Sequence, residues 1–483
     1  MKINYKKLKL KAGLEIHLQL DTKHKLFCKC STKMSEKTPI KIVKRKLHPV
    51  ASELGEIDVA AQYEYLRDRT FFYQVFKNET CLIDLDEEPP LPLNEEALKI
   101  ALQIALLFNC SIPEEIHVMR KTVIDGSTPM GFQRTAIVGN NGYLKYKGKK
   151  IEITHIALEE DAAALVKEED GKVTYRLNRL GVPLVEISTG LLKGFTPEEI
   201  QEIAYLIGIT CKSTGKIKRG IGSIRQDLNV SIKNGARVEI KGVQDLDMIA
   251  KVIELEVKRQ LELKKVEEET RAALPNGTTR YLRPLPGAAR LYPETDVMPI
   301  VISKEYLKEI KKNLPEPWTK KLSRFKRKLK LSNELAKQIL RSDYLEIFEK
   351  IIENKKVEPS VVANTFVSTL KDLKKRYRIK VENLKEEHFL EIFDALAKKK
   401  IMKEAIPDVL KFLARKPEKS LKDAIKQLNL KPIKKSELKK IVKEILEIPD
   451  LTFEKAFGIV MSKVRGRADP NTVRKVVKKY FKK

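Results

Sequence analysis

Across residues 14–20 the chain alternates without a break. Leu14, Ile16, Leu18 and Leu20 fall on one side, and Glu15, His17 and Gln19 fall on the other. A period of two predicts a strand with one buried face, because successive side chains of a strand point to opposite faces of its sheet. Such a strand needs a sheet around it and an apolar layer beneath it. Its outward face carries a carboxylate, an imidazole and a carboxamide in one row, each able to offer oxygen or nitrogen to a ligand. A solvated face with a chance histidine is the plainer alternative on this segment alone.

A second acidic group follows at Glu159, Glu160 and Asp161, directly after an apolar stretch. Adjacent carboxylates raise one another's pKa unless a cation lies among them. A hard ion such as Mg²⁺ takes carboxylate oxygens, waters and phosphate oxygens. Glu15 and His17 on one strand, with Glu159, Glu160 or Asp161 on another, would form such a site. An acidic surface turn is the alternative for residues 159–161.

Glycine and charge both divide the chain near residue 300. Of 21 glycines only Gly458 and Gly466 come later, and residues 301–483 hold 49 basic against 25 acidic side chains, +24 of the total +30. The front suits sheets and tight turns, the back suits helices. A basic helical region predicts a polyanionic partner, above all nucleic acid. High Lys and Glu content also marks thermophilic proteins with no ligand implied, but that habit raises both signs together.

Residues 1–300 read as an α+β domain, a mixed sheet with helices. Strands are expected at 14–20, 142–146, 150–156, 172–177, 184–188 and 238–240. Helices are expected at 94–108 with Asn94 as N-cap, at 196–209 with Thr196 ahead of Pro197, and at 245–264. A Pro- and Gly-rich loop, 274–287, follows, and Pro315 and Pro317 mark a linker. The back reads as all-α, a helical domain at 301–405 and a small helical tail at 406–483, with Asp469 or Asn471 starting the last helix. A chain of 483 residues has room for these domains. No long uncharged apolar run predicts a membrane span, and the basic N-terminus lacks a secretory core. Five cysteines fit a reducing compartment better than a disulfide framework. A cytoplasmic protein away from membranes is the expectation.

No Gly-x-x-x-x-Gly-Lys-[Ser/Thr] loop and no Rossmann glycine fingerprint is present. The turn-rich stretch 125–134, with Ser127 and Gln133, could bring backbone to a phosphate, or be an ordinary loop. Arg176, Arg179, Arg225, Arg280, Arg283 and Arg290 stand in polar or Pro/Gly contexts. Guanidinium forks suit phosphate and carboxylate, and structural salt bridges use them equally well. Cys28 and Cys30 form one pair, whereas Cys81, Cys110 and Cys211 stand alone in the sequence, which favours buried thiols over zinc. No amidase-type Ser/Lys segment is found.

Taken in order, eight stretches resemble the B and E subunits of the tRNA-dependent amidotransferases. They are Gly13-Leu-Glu-Ile-His-Leu-Gln-Leu20, Phe27-Cys-Lys-Cys30, Leu158-Glu-Glu-Asp161, Asn178-Arg-Leu-Gly-Val-Pro-Leu-Val-Glu-Ile187, Gly222-Ser-Ile-Arg-Gln-Asp-Leu-Asn-Val-Ser231, Val238-Glu-Ile-Lys-Gly-Val243, Glu256-Val-Lys-Arg-Gln260 and Arg465-Gly-Arg-Ala-Asp-Pro470. The stretch 283–296 is closer to the archaeal E type. The inserted domain usual in the E type, similar to one of bacterial aspartyl-tRNA synthetase, has no counterpart, and neither has the second cysteine pair of many B subunits.

The resemblance implies a cradle-shaped kinase and transamidase domain at 1–300, a helical linker domain and a YqeY-like tail that grips tRNA. It implies that ATP phosphorylates the side chain of glutamate mischarged on tRNA(Gln), and that ammonia then displaces the phosphate. Glu15, His17, Glu159, Glu160 and Asp161 are the expected Mg²⁺ ligands. Glu15, His17, Glu160 and Arg179 are the expected catalytic residues, and Gln19, Ser127, Gln133, Arg225 and Arg283 face substrate. Arg465, Arg467, Arg474 and Lys475 are expected on tRNA. The ammonia donor would be an asparaginase-like amidase of the D type, or the A and C subunits for a bacterial-type B chain, which could also act on aspartyl-tRNA(Asn). A non-catalytic tRNA-binding scaffold is the alternative of another class.

Overall fold

The computed structural model describes residues 3–481 apart from 35–37, 52–54, 219, 221, 264, 288–289 and 355. It divides into two compact units, Met1–Pro317 and Trp318–Lys483. The N-terminal unit is built on a mixed sheet of eleven strands. In chain order these are β1 (Lys11–Gln19), β2 (Val118–Thr122), β3 (Phe132–Tyr146), β4 (Lys149–Glu160), β5 (Pro183–Thr189), β6 (Leu192–Lys193), β7 (Ile224–Ser231), β8 (Val238–Val243), β9 (Glu269–Ala273), β10 (Thr279–Pro284) and β11 (Leu291–Pro293). Their spatial order is β10-β9-β8-β7-β1-β5-β4-β3-β2-β11, with β6 beside the start of β1. Every pairing in it is antiparallel except β8 with β9.

β1 lies at the centre, and its alternation sorts as the sequence predicts. Leu14, Ile16 and Leu18 are almost fully buried on one face, while Glu15 and His17 are half-buried on the other. The apolar face is covered by α2 (Glu95–Leu107), α3 (Pro197–Lys212) and α4 (Ile249–Glu262). α2 starts where Asn94 Oδ1 accepts from Ala97 N at 3.1 Å. Thr196 and Glu199 close a reciprocal capping box on α3. α4 is the crossover that the parallel pair β8/β9 requires. The stretch read from the sequence as a loop, 274–287, is mostly the hairpin of β9 and β10. Its strands are hidden in the sequence because Arg, Thr and Tyr carry little apolar alternation there.

A separate four-stranded sheet orders Lys41–Arg45, Thr70–Val75, Lys172–Arg176 and Ala164–Glu169. Phe71, Tyr73, Val173, Tyr175 and Leu180 form its core. Gly126, at φ +90°, seats the 125–131 loop against this core, and a Cβ there would lie 2.1 Å from the Phe71 ring. Residues 301–317, read as the start of the helical region, fall in the N-terminal unit, where α5 (Lys304–Lys312) packs on α2.

The second unit is all helical. Its last three helices, Lys435–Leu446, Phe453–Lys463 and Pro470–Phe481, close around Leu438, Val442, Ile445, Val460, Val464, Val473 and Val477. Asp469 Oδ2 accepts from Thr472 N at 2.8 Å and so caps the final helix. Among the described residues no helix is long and apolar enough to cross a membrane.

Asn94 does two jobs: its oxygen caps α2, and its Nδ2 donates to the carbonyls of His24 and Lys25 at 3.0 and 3.1 Å. Asn94→Ala should lower stability by about 1–2 kcal/mol. Asn94→Asp should not restore it although Asp caps equally well, since a carboxylate oxygen would then face two carbonyls. Urea midpoints of both variants check this; recovery in Asn94→Asp would refute it.

Candidate active site

Antiparallel register aligns the polar faces of β7, β1, β5 and β4. Glu15 lies opposite Ser188 on one side and Asp227 on the other, and His17 lies opposite Glu186 and Arg225. Glu159 of β4 is opposite Leu184 and Thr135. These residues line a cavity of about 1140 Å³, with Lys121, Ser127, Gln133, Asp161, Glu239, Lys241, Arg283 and Arg290.

Two groups of ligating atoms stand on this face. In the first, His17, Glu159 and Glu186 bring one ligand atom each within 4.8 Å of one another. His17 Nε2 is 3.1 Å from Glu186 Oε2, and Lys121 Nζ is 2.7 Å from Glu159 and 3.7 Å from Glu186. Burial alone would raise the Glu186 carboxyl, but Lys121, His155 and His17 outweigh it and hold it well below the usual range. The same contact works in reverse on His17, where burial disfavours the charged ring and Glu186 more than compensates, raising its pKa. In the second group, Glu15, Asp227 and Glu239 converge within the same limit. Lys241 bridges Asp227 at 3.3 Å and Glu239 at 2.9 Å. Glu15 has no such lysine pair in contact; burial and then the Glu186 charge push its carboxyl up.

Both groups suit a hard divalent cation. The second is all oxygen, and the first adds one imidazole. In each the existing positive partner is a lysine ammonium, which shows that these carboxylates are arranged around positive charge.

The structure thus brings together Glu15, His17 and Glu159 on one face. It does not bring Glu160 to them. Neighbouring residues of a strand face opposite ways, so Glu160 lies on the helix-covered side. There Arg134 N donates to it at 3.2 Å, and the Arg134 Nε donates to Glu294 at 2.8 Å. Burial, partly offset by Arg134, raises the Glu160 carboxyl. Asp161, fully buried, accepts from Gln19 Nε2, from Arg225 Nη2 at 2.6 Å, and lies 3.8 Å from Arg179 Nε. Burial would raise its carboxyl; Arg225 and Arg179 hold it below the ordinary value. Gln19 is therefore a buried partner of Asp161. Arg179 is spent on the Ala162 and Ala163 carbonyls at 2.7 and 2.8 Å. Gln133 Nε2 donates to Glu159 at 3.1 Å. Ser127 Oγ donates to Asp125 at 2.6 Å, and Asp125 also lies 3.5 Å from Arg283.

Lys121, His155, Glu186, Asp227, Glu239 and Lys241 take no role from the sequence alone. Four of them do leave a signal there: Glu186, Asp227, Glu239 and Lys241 each interrupt an apolar strand at a period of two.

In the second unit, Arg465, Arg474 and Lys475 are exposed. Arg474 lies over the Phe453 and Phe457 rings and pairs with Glu454 at 2.8 Å. Arg467 is half-buried, donating to the Lys431 carbonyl and to Glu437 at 3.2 Å each.

Residues 10–308 match the GatB/GatE catalytic domain, and residues 346–481 match the GatB domain family also called GatB_Yqey. The chain belongs to the GatB/GatE family. Three similar proteins are each named as the E subunit of glutamyl-tRNA(Gln) amidotransferase. That of Methanocaldococcus jannaschii is 37% identical, with 100% of both chains covered. That of Thermococcus sibiricus is 36% identical over 99% of both, and that of Pyrobaculum neutrophilum 35% identical over 98% of this chain and 99% of its own. The first alignment spans 631 positions against 483 residues here, so at least 148 positions of it have no counterpart in this chain.

Asp161 stabilises the fold only while ionised. Its folded pKa is depressed, so its contribution is complete above the unfolded value of about 3.9 and disappears as pH falls through the folded value. Asp161→Asn should therefore lower the thermal midpoint by a constant amount above about pH 5 and converge with the parent chain in acid. A difference that grows toward acid would contradict the assignment.

Proposed function

We propose that this chain is the kinase and transamidase subunit of a glutamyl-tRNA(Gln) amidotransferase, converting glutamate mischarged on tRNA(Gln) to glutamine with ATP and ammonia. The observation that carries this reading is the paired carboxylate groups, His17/Glu159/Glu186 and Glu15/Asp227/Glu239, facing one cavity rimmed by Arg225, Arg283 and Arg290. Phosphorylating a carboxylate brings two anions together, and the protein's task is to position them and offset their charge. Mg²⁺, when bound by these carboxylates, would neutralise charge on the phosphate oxygens of ATP.

The residues of the chain divide the remaining work. Lys121 and Lys241 are held by the acidic groups and present ammonium charge to the same cavity. Arg225, fixed against Asp161, and Arg283, fixed against Asp125, offer guanidinium edges at two points of the rim. Gln133 and Ser127 line the same cavity and hold Glu159 and Asp125 in place. Attack by ammonia on the acyl phosphate releases phosphate and leaves the amide. The names of the relatives support glutamate on tRNA(Gln) over aspartate on tRNA(Asn), and the intact ligand groups favour catalysis over a scaffold role. We assign ammonia supply to a partner amidase of the asparaginase-like D type, and tRNA grip to the basic tail.

Purified chain with glutamyl-tRNA(Gln), ATP, Mg²⁺ and ammonium chloride should yield glutaminyl-tRNA without a partner. Glu186→Gln should lower that rate on the order of 100-fold with tRNA still bound. Product formation unaffected by Glu186→Gln would remove the site from the reaction. In the tail, replacing Arg465, Arg474 and Lys475 with Ala should weaken tRNA binding and reduce its salt slope by up to about 0.9 for each phosphate no longer neutralised. Unchanged affinity and slope would move the tRNA surface elsewhere.

A further inference from the structure

The strand register places a row of cations at one end of the cavity floor. β1 begins at Lys11, which lies opposite Lys193 of β6 and Ser231 of β7. Arg237 directly precedes Val238, itself opposite Val230, so it stands beside Ser231. By alternation Lys11 shares the face of Gly13, Glu15 and His17, and Arg237 shares that of Glu239 and Lys241. All three side chains are exposed, and Lys193 and Arg237 line the cavity. Four cations deeper in the cavity are paired: Lys121 with Glu159, Lys241 with Asp227, Arg225 with Asp161 and Arg283 with Asp125. Lys11, Lys193 and Arg237 have no carboxylate partner among the described residues. One acid, Glu152, lines the same end, its carboxylate resting on Gly190, where a Cβ would lie 2.2 Å from it. Three cations against one acid leave this end of the floor positive.

We propose that Lys11, Lys193 and Arg237 bind the last phosphodiester of the charged tRNA, where its single-stranded end crosses the floor; this rests on the amidotransferase reading above. Lengths carry the assignment. Lys11 is four residues from Glu15 along β1, about 13 Å at about 3.3 Å per residue. In a glutamyl ester of tRNA about ten bonds separate the side-chain carboxyl carbon from the phosphorus on the 5′ side of the terminal nucleotide, about 12 Å when extended. A glutamyl carboxyl held at the ion-binding groups therefore puts that phosphate over the cationic row. ATP has no charge to place there, because its phosphates all lie within about four bonds, roughly 5 Å, of the phosphorus that reacts. The floor between the acids and the cations is uncharged. It consists of Gly13 and, opposite it, Asn229, whose Nδ2 donates to Glu15 at 3.1 Å. With no side chain at residue 13, backbone is open to the approach of the ribose. Leu191, exposed and lining the same end, offers an apolar surface to the terminal base.

Replacing Lys11, Lys193 and Arg237 together with Ala in the full chain should weaken binding of glutamyl-tRNA(Gln) about tenfold. In ammonium-driven amidation the KM for that tRNA should rise by the same factor, with the KM for ATP unchanged. The charge-keeping set Lys11→Arg, Lys193→Arg and Arg237→Lys should bind as the parent chain does. A tRNA carrying an uncharged methylphosphonate in place of that one phosphodiester tests the contact itself. It should bind the parent about tenfold more weakly, yet bind the alanine variant as well as unmodified tRNA does, because both changes remove one interaction. Its loss should add in full to that of the Arg465, Arg474 and Lys475 alanine set in the tail. Losses that add in the Lys11/Lys193/Arg237 variant, undiminished tRNA affinity in that variant, or a raised KM for ATP would overturn the assignment. The binding cycle needs no turnover, so non-additive binding without product would leave the contact standing and count against the catalytic reading alone.

Discussion

Like charges crowd one face of the central sheet, and the site exists because positive groups are interleaved among them. Along β7, β1, β5 and β4 the register sets Asp227, Glu15, Glu186 and Glu159 within reach of one another. Lys241 enters from β8, beside β7, and Lys121 from β2, the second strand beyond β4. A carboxylate so buried without such a neighbour would take up a proton instead. Glu15, the member with no lysine in contact, is the one whose carboxyl is pushed up. The arrangement is therefore a charge lattice rather than a collection of pairs, and altering one cation changes several acids at once.

The other face repeats the theme in a drier setting. Arg134, almost wholly buried, is shared between Glu160 and Glu294 and lies over the Phe27 and Phe132 rings. Removing both acids would strand a buried guanidinium, at a cost of about 3–5 kcal/mol. This network ties β3 and β4 to residue 294 beyond β11, and so keeps the long edge of the sheet in register beneath the cavity.

What can be read from the sequence is what is local. Alternation locates β1 and its chemical face, and short polar residues before apolar runs locate the caps of α2 and α3. Residues 159–161 show where that reading stops. Three consecutive acids look like one cluster in the sequence, but strand geometry turns Glu159 to the cavity, Glu160 to the core and Asp161 to two arginines. Glu186, Asp227, Glu239 and Lys121 join the site only through pairing between distant strands, which no single strand's pattern reveals.

The parallel pair β8/β9 has a further consequence. The strands that build the cavity, β7, β1, β5 and β4, take their register from antiparallel neighbours on both sides, whereas β9 and β10 close the sheet at its margin. Between α4, ending at Glu262, and β9, starting at Glu269, the chain runs only a short link. A connection of that kind can lengthen or shorten without sliding any strand past another. The fold thus carries a point of evolutionary elasticity at the edge of its sheet, where whole segments can be gained or lost while the chemistry at the centre keeps its alignment.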